Sequence, residues 1–430
     1  MIKIVKSGEF DVARAARNAA PAEVASAVAE IIAEVIARGD AALREYTERF
    51  DGCAPDSFEL APSALDDALG EVSPEFLGAM ERAAKNIEEF HRRQAEQGYM
   101  ITRGEGVVLG QKVTPLERVG LYIPGGTAPY PSTVLMNCIP AKLAGVGEII
   151  IATPPSKEGR VDAGILAAAK IAGADRVFTI GGAQAIAAMA YGTGTVPRVD
   201  KITGPGNAFV AEAKRQVFGA VGIDMIAGPS DVLVIADGGA DPSHVAADML
   251  SQCEHGADSP AILVTDSGEL AEKVSMEIET QIKALPREAI ARKAVDCHGR
   301  IIVAESLAQA FEISNGIAPE HLEVFLDDPL KYLGKVKNAG SVFLGKHAPE
   351  ALGDYYAGPN HTLPTSGTAR FSSPLSVNDF VKKTQYTYYT AEALRREADD
   401  VILFAESEGL AAHANSVRVR TGERKAKAQE

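Results

Sequence analysis

The 430-residue chain is informative first through what it lacks. Its four cysteines, Cys53, Cys138, Cys253 and Cys297, are widely scattered and form no C-x-x-C pair, which excludes a disulfide scaffold and fits a reducing compartment. No apolar run approaches membrane length, and Met1-Ile2-Lys3-Ile4-Val5 turns polar too soon for a secretory signal. A cytoplasmic protein with no membrane partner is therefore expected. Basic excess is missing too: the formal net charge of −15 argues against nucleic acid or an anionic membrane surface as the main partner. With 46% hydrophobic and 23% charged residues, the composition is that of an ordinary globular protein. Its length predicts two or three domains.

Common catalytic signatures are also absent. There is no G-x-G-x-x-G, no H-E-x-x-H and no paired-cysteine metal motif. Ala227-Gly228-Pro229-Ser230 is not a G-x-S-x-G elbow, so Ser230 reads as a hydrogen-bond donor to a ligand rather than a nucleophile. Cys253, between Gln252 and Glu254, reads as a small buried residue.

What is present centres on Ala318-Pro319-Glu320-His321-Leu322. Pro319 stiffens the approach, and the alternating run Leu322–Leu326 predicts a strand, so Glu320 and His321 stand at a strand mouth. Histidine titrates near neutrality, and a carboxylate beside it can serve as a second base. A surface histidine paired with its neighbour would look the same in isolation.

Around that turn the chain divides by texture. A short strand and arm are expected over residues 1–20. Pro21-Ala22-Glu23 then opens a helical region that runs to about residue 100 and carries no evident chemistry. From Val113, strands and helices alternate, with glycine turns at Pro124-Gly125-Gly126, Gly181-Gly182 and Gly204-Pro205-Gly206. Strand–glycine turn–helix units at this spacing predict a doubly wound parallel sheet, with ligands at the carboxyl ends of its strands. Such turns present backbone N–H groups to phosphates, and Tyr122, Gln184 and Asn207 lie at them. A second β/α series starts near Asp231. After Leu344 about thirty residues lose periodicity, which marks a functional or contact-forming stretch. Helices are expected near Val377–Lys383 and from about Ala391 to Gly409, then a solvated basic tail (Arg418, Arg420, Arg424, Lys425, Lys427).

Gln252 and His255, three apart at a helix end, share a face and could contribute to a Zn²⁺ site. Asp354 and His361 in the long loop, and Glu408 and His413 near the C-terminus, are further candidates. Their spacing alone does not establish a metal.

Taken together, these stretches resemble the histidinol dehydrogenase family. The residues that carry the likeness are Gly120-Leu121-Tyr122-Ile123-Pro124-Gly125-Gly126, Gly181-Gly182-Ala183-Gln184-Ala185 and Thr203-Gly204-Pro205-Gly206-Asn207. They continue through Ile226–Ser230, the Gln252–His255 pair, Ala318–Leu322, Gly358–Thr365, Ala369–Leu375 and Glu408–Asn415. Asp231 is a small departure, because the family more often has Glu there; the carboxylate is kept.

The resemblance implies two incomplete Rossmann-like domains with small helical N- and C-terminal segments: 21–118 plus 231–376, and an NAD-binding domain over 119–230. An arm over 1–20 and a dimerisation segment over 377–430 complete it. It further implies one Zn²⁺ per subunit on Gln252, His255, Asp354 and His413. Ser230, His321, His361 and Glu408 would contact substrate, as would the metal ligands, and Tyr122, Gln184 and Asn207 would contact NAD⁺. The implied reaction oxidises L-histidinol through L-histidinal to L-histidine and reduces two NAD⁺. His321 would be the general base and Glu320 would activate water. The implied homodimer shares its active sites, with Glu408 and His413 serving the partner. A relative acting on another alcohol, such as a sulfonated diol, should lose the imidazole-binding positions, all of which are present. A silent nucleotide-binding protein should lose Glu320 or His321, and a metallohydrolase should lack the nucleotide turns.

Overall fold

Val232-Leu233-Val234-Ile235-Ala236 is buried at every position, as a parallel strand covered on both faces must be. Val232, Val234 and Ala236 enter one core layer and Leu233 and Ile235 the other, so alternation assigns each side chain to a face. This strand is β9 in a computed structural model that describes residues 1–11, 22–53, 55–125 and 129–422. The Pro21 helix start, the turn residues Gly126–Ala128 and the basic residues Arg424, Lys425 and Lys427 lie outside the described residues.

The described chain forms two compact units. The first comprises Met1–Ala95 with Leu116–Phe380, and the second Glu96–Pro115 with Val381–Glu430.

The first unit holds two wholly parallel sheets. In the six-stranded sheet, β9 (Val232–Ala236) lies between β10 (Ala261–Thr265) and β12 (His321–Phe325). Beyond β10 come β11 (Arg300–Val303) and then β1 (Lys3–Lys6), so the expected first strand is a sheet edge; beyond β12 comes β13 (Ser341–Leu344). The five-stranded sheet runs β6 (Arg176–Thr179), β5 (Glu148–Thr153), β4 (Arg118–Tyr122), β7 (Lys201–Thr203), β8 (Gly222–Ile223). Helices cover both faces of each sheet, which gives the doubly wound α/β class the sequence predicts.

The chain reverses its direction of travel across the sheets at β4/β7 and at β9/β12. The glycine turns after β4, β6 and β7 lie at carboxyl ends, as expected. Glu320, His321, Ser230 and Asp231 do not: they lie at the amino ends of β9 and β12, where register pairs His321 with Val232. A helix following a parallel strand runs back along it, so Pro242–Cys253, which follows β9, carries Gln252 to the same amino edge.

The second unit has an antiparallel sheet, ordered β14 (Val381–Tyr389), β3 (Val107–Pro115), β2 (Tyr99–Thr102). Its helices, Ala391–Ser407 and Ala411–Thr421, share a small core of Ala398, Ile402, Ala405 and Ala414. The helix expected at Val377–Lys383 is a 3₁₀ turn, Val377–Phe380, followed by β14. A Thr- and Tyr-rich stretch favours extended backbone, and nine register pairs with β3 settle it. Arg418 is not simply solvated, because it pairs with Glu406 at 2.6 Å.

Candidate active site

Pro319 and its neighbours shape the central turn. The helix Leu307–Ile317 stops at Ala318, a fully buried residue held at φ +57, in the left-handed region. The chain then passes through Pro319 and Glu320 into β12. Backbone bonds from Gly340 N to Pro319 O (2.9 Å) and from Ser341 N to Glu320 O (2.8 Å) fix the turn from the β13 side.

Glu320 is buried. Its Oε2 accepts from the Ser230 hydroxyl at 2.5 Å and from the Asp231 amide at 3.0 Å. Burial pushes its carboxyl up to about 7; the charge of His321 works against this shift and that of Asp231 adds to it. His321 is equally buried. Its Nδ1 lies 3.0 Å from the Asp231 carbonyl, which can only accept, so Nδ1 carries a hydrogen and Nε2 is the nitrogen that gains and loses the proton. Nε2 has no hydrogen-bond partner and stands 3.6 Å from Asp354 Oδ1. Burial disfavours the charged ring, but Glu320, Glu350 and Asp354 outweigh it and hold His321 well above its ordinary value.

Around His321 gather the candidate metal-binding groups. His255, Glu350 and Asp354 bring ligand atoms within 4.8 Å of one another. Gln252, a sequence candidate three residues before His255, is fully buried, yet neither atom of its amide has a hydrogen-bond partner. An orphaned buried amide is unfavourable unless something else satisfies it, so the donor set fits a cation. Asp354 is pushed up by burial but more strongly down by His321, His361 and His255, and it stays below the usual carboxylate range. His255 and His361 are both lowered, chiefly by desolvation, so neutral imidazoles are favoured. His361 Nδ1 is anchored 3.0 Å from the Asp354 carbonyl.

Glu350 was not among the sequence candidates. It is buried, faces His321 Nδ1 at 3.8 Å, and is pushed up to about 8 by its burial. The available signal was its spacing: it lies four residues before Asp354 on the short helix Glu350–Tyr355, which puts both carboxylates on one face.

A cavity of about 90 Å³ opens between Gly204–Gly206, Ser230, Glu320 and His361. At roughly 30 Å³ per water, it has room for about three. Gly204, at φ +111, packs so closely on the Tyr122 carbonyl that no side chain fits there, which joins the ends of β4 and β7. Tyr122 accepts from the Gly182 amide at 3.0 Å, and burial pushes its hydroxyl up to about 12. The Gln184 side-chain oxygen is buried without a partner. Asn207 uses its side-chain oxygen to cap the helix Ala208–Val217, accepting from Phe209 and Val210 amides at 3.0 and 3.1 Å. Glu408 and His413, both exposed, belong to the second unit, at the end of Ala391–Ser407 and in the first turn of Ala411–Thr421.

Comparison with known proteins identifies the family. The family model for histidinol dehydrogenase matches residues 14–421. The histidinol dehydrogenase of Clostridium acetobutylicum is 53% identical over 399 residues, covering 93% of each chain. That of Lactiplantibacillus plantarum is 54% identical over 398 residues, again 93% of each. The crystal structure of histidinol dehydrogenase from Elizabethkingia anophelis superimposes with a TM-score of 0.92 at 40% identity, over 98% of each chain. The chain therefore belongs to the histidinol dehydrogenase family, the NAD-dependent oxidoreductases of histidine biosynthesis.

Proposed function

We propose that the protein oxidises L-histidinol through L-histidinal to L-histidine, using zinc and two NAD⁺, and that the Glu320–His321 turn serves both half-reactions. The observation that carries this reading is the adjacency of two buried proton-handling groups, one lining a water-sized cavity and the other facing His255, Glu350 and Asp354.

In the first half-reaction His321 Nε2 takes the hydroxyl proton as hydride leaves the carbinol carbon, and the aldehyde results. In the second, Glu320 takes a proton from water while the water oxygen bonds to the aldehyde carbon. The carbonyl oxygen receives the proton held on His321, and the geminal diol forms. His321, neutral again, removes a diol proton as the second hydride leaves. The carboxylic acid formed ionises, and three protons are released in all. NAD⁺, when bound, accepts the hydride in each half-reaction.

Gln252, His255, Asp354 and His413 would hold Zn²⁺, with Glu350 beside them. Zinc supplies a template for the imidazole end of the substrate, and its charge offsets Asp354 so that His321 is neutral when it acts as base. Ser230 orients Glu320, and His361 and Glu408 complete the substrate contacts. Tyr122, Gln184 and the free amide NH₂ of Asn207 bind NAD⁺ in the domain spanning 119–230, against whose sheet the helices of residues 22–92 pack; the other Rossmann-like domain is built from 231–376, and residues 96–115 go with the C-terminal segment. The segment 377–430 forms a homodimer in which Glu408 and His413 serve the partner's site. Exposed Tyr99, Met100, Ile101, Tyr388, Leu403 and Phe404 in the second unit support such an interface.

The test is NADH yield from purified protein with L-histidinol. Two NADH per histidinol, lost on chelation and regained with zinc, is the expected result. Zinc and NAD binding without turnover would direct the search to other alcohols.

A further inference from the structure

One residue touches both proton-handling groups through almost every polar atom it has. The Asp231 amide donates to Glu320 Oε2 at 3.0 Å, and its Oδ1 accepts from the Glu320 amide at 3.0 Å. Its carbonyl accepts from the His321 amide at 3.2 Å and from His321 Nδ1 at 3.0 Å. The contacts run in both directions between the amino ends of β9 and β12. Neither Glu320 nor His321 can turn without breaking one of them.

The backbone gives independent support. Among the described residues, two non-glycine positions have positive φ: Ala318 at +57 and Ser366 at +55. Ala318 lies two residues before Glu320, and the Ser366 backbone faces the Asp231 carboxylate. Such conformations persist only where surrounding contacts over-determine them, and both are found on segments that converge on Asp231.

We propose that Asp231 is a positioning residue for the hydration step. It holds the Glu320 carboxylate at the cavity and the His321 ring in its Nε2-basic form, and it places a second negative charge beside Glu320. This rests on the reading of Glu320 as the group that activates water. The groups facing Glu320 are Ser230 and Asp231 before β9, His321 on its own turn, His361 and the Lys214-paired Asp224 across the cavity, and Glu350 on the helix after β13. Of the acidic groups, Asp231 exchanges hydrogen bonds with Glu320 directly. Burial pushes the Asp231 carboxyl itself up to about 6, so above that pH its charge keeps Glu320 ready to accept the proton of the attacking water.

The experiment compares the pH dependence of histidinal oxidation in the zinc-loaded wild type, Asp231→Asn, Asp231→Ala and Glu320→Gln. Asn keeps an acceptor for the Glu320 amide and removes the charge. Its acidic limb should move down, by up to about one pH unit, because a neighbouring negative charge raises the pKa of a carboxyl and its removal lowers it. Ala removes the acceptor as well, and its ratio of histidinal to histidinol oxidation should fall roughly tenfold, the expected penalty for a loosened base. The main-chain carbonyl that sets the His321 tautomer survives in both variants, so histidinol oxidation should fall less. If Asp231→Ala does not fold, the near-isosteric Asn variant decides the matter through its limb. An unmoved limb with a wild-type ratio in Asp231→Asn overturns the proposal. Histidinal oxidation at the wild-type rate in Glu320→Gln overturns instead the assignment of water activation to Glu320, and the two failures are thereby distinguishable.

Discussion

Lys214 and Asp224 meet inside the protein, with side chains 2% and 1% exposed, and together they grip Gly204. Lys214 Nζ donates to the Gly204 carbonyl at 2.9 Å, and the Gly204 amide donates to Asp224 Oδ2 at 2.8 Å. This pair holds the turn that walls the cavity opposite Glu320. Lys214→Met leaves a buried carboxylate without its partner, and should destabilise the protein by about 3–5 kcal/mol. Lys214→Met combined with Asp224→Leu should recover much of that loss, measured by urea denaturation. A single variant as stable as the wild type would show that the pair contributes nothing.

Gly204 itself allows a sharper test. Its φ of +111 and its contact with the Tyr122 carbonyl leave no space for a methyl group. Gly204→Ala should strain the backbone by about 1–3 kcal/mol and part the turn from β4. The expected readout is weaker NADH binding in a fluorescence titration, in excess of any change in zinc content. Unchanged NADH affinity would place the nucleotide elsewhere.

Gln252 makes opposite predictions with and without metal. In the metal-free protein its amide is buried and unsatisfied, so Gln252→Met should be neutral or stabilising there. Zinc at a hundred times its dissociation constant should stabilise the wild type by about 2.7 kcal/mol, and the variant by much less. Thermal melts with and without zinc read both effects. Equal zinc stabilisation of the two proteins would remove Gln252 from the ligand set.

Asp51 concerns stability alone. Burial pushes its carboxyl up to about 6 from an ordinary 3.8, and its Oδ2 has no hydrogen-bond partner. A raised pKa means that the stability its neutral form supports is complete below the ordinary value and lost as pH rises through about 6. Discounted for partial exposure, the loss above that pH is about 1–2 kcal/mol. Asp51→Asn should therefore be more stable than the wild type at pH 8 and no different near pH 4, checked by denaturation at both. A gain that does not depend on pH would contradict the titration argument.

Much of this could be read in the sequence, for identifiable reasons. Strands such as Val232–Ala236 are uniform apolar runs between glycine or proline turns, and their burial on two faces leaves little ambiguity. The Glu320–His321 turn is legible because Pro319 excludes a helix. Other features carry a weak local signal or none. Nothing about alanine announces the left-handed φ of Ala318, which the surrounding structure imposes. Glu350 looks like any acidic residue in a first helical turn until the fold brings it against His321. The location of the Glu320–His321 turn at amino rather than carboxyl strand ends depends on strand order, which periodicity does not encode. Val381–Tyr389 needed its partner β3 to show itself a strand.

Zinc-loaded Glu320→Gln separates the two half-reactions most directly. With histidinol and excess NAD⁺, this variant should still oxidise the alcohol but stall at the aldehyde, so NADH per histidinol falls from two towards one and trapped histidinal accumulates. Equal slowing of both half-reactions, with two NADH still formed and no aldehyde detected, would contradict a dedicated role for Glu320 in activating water.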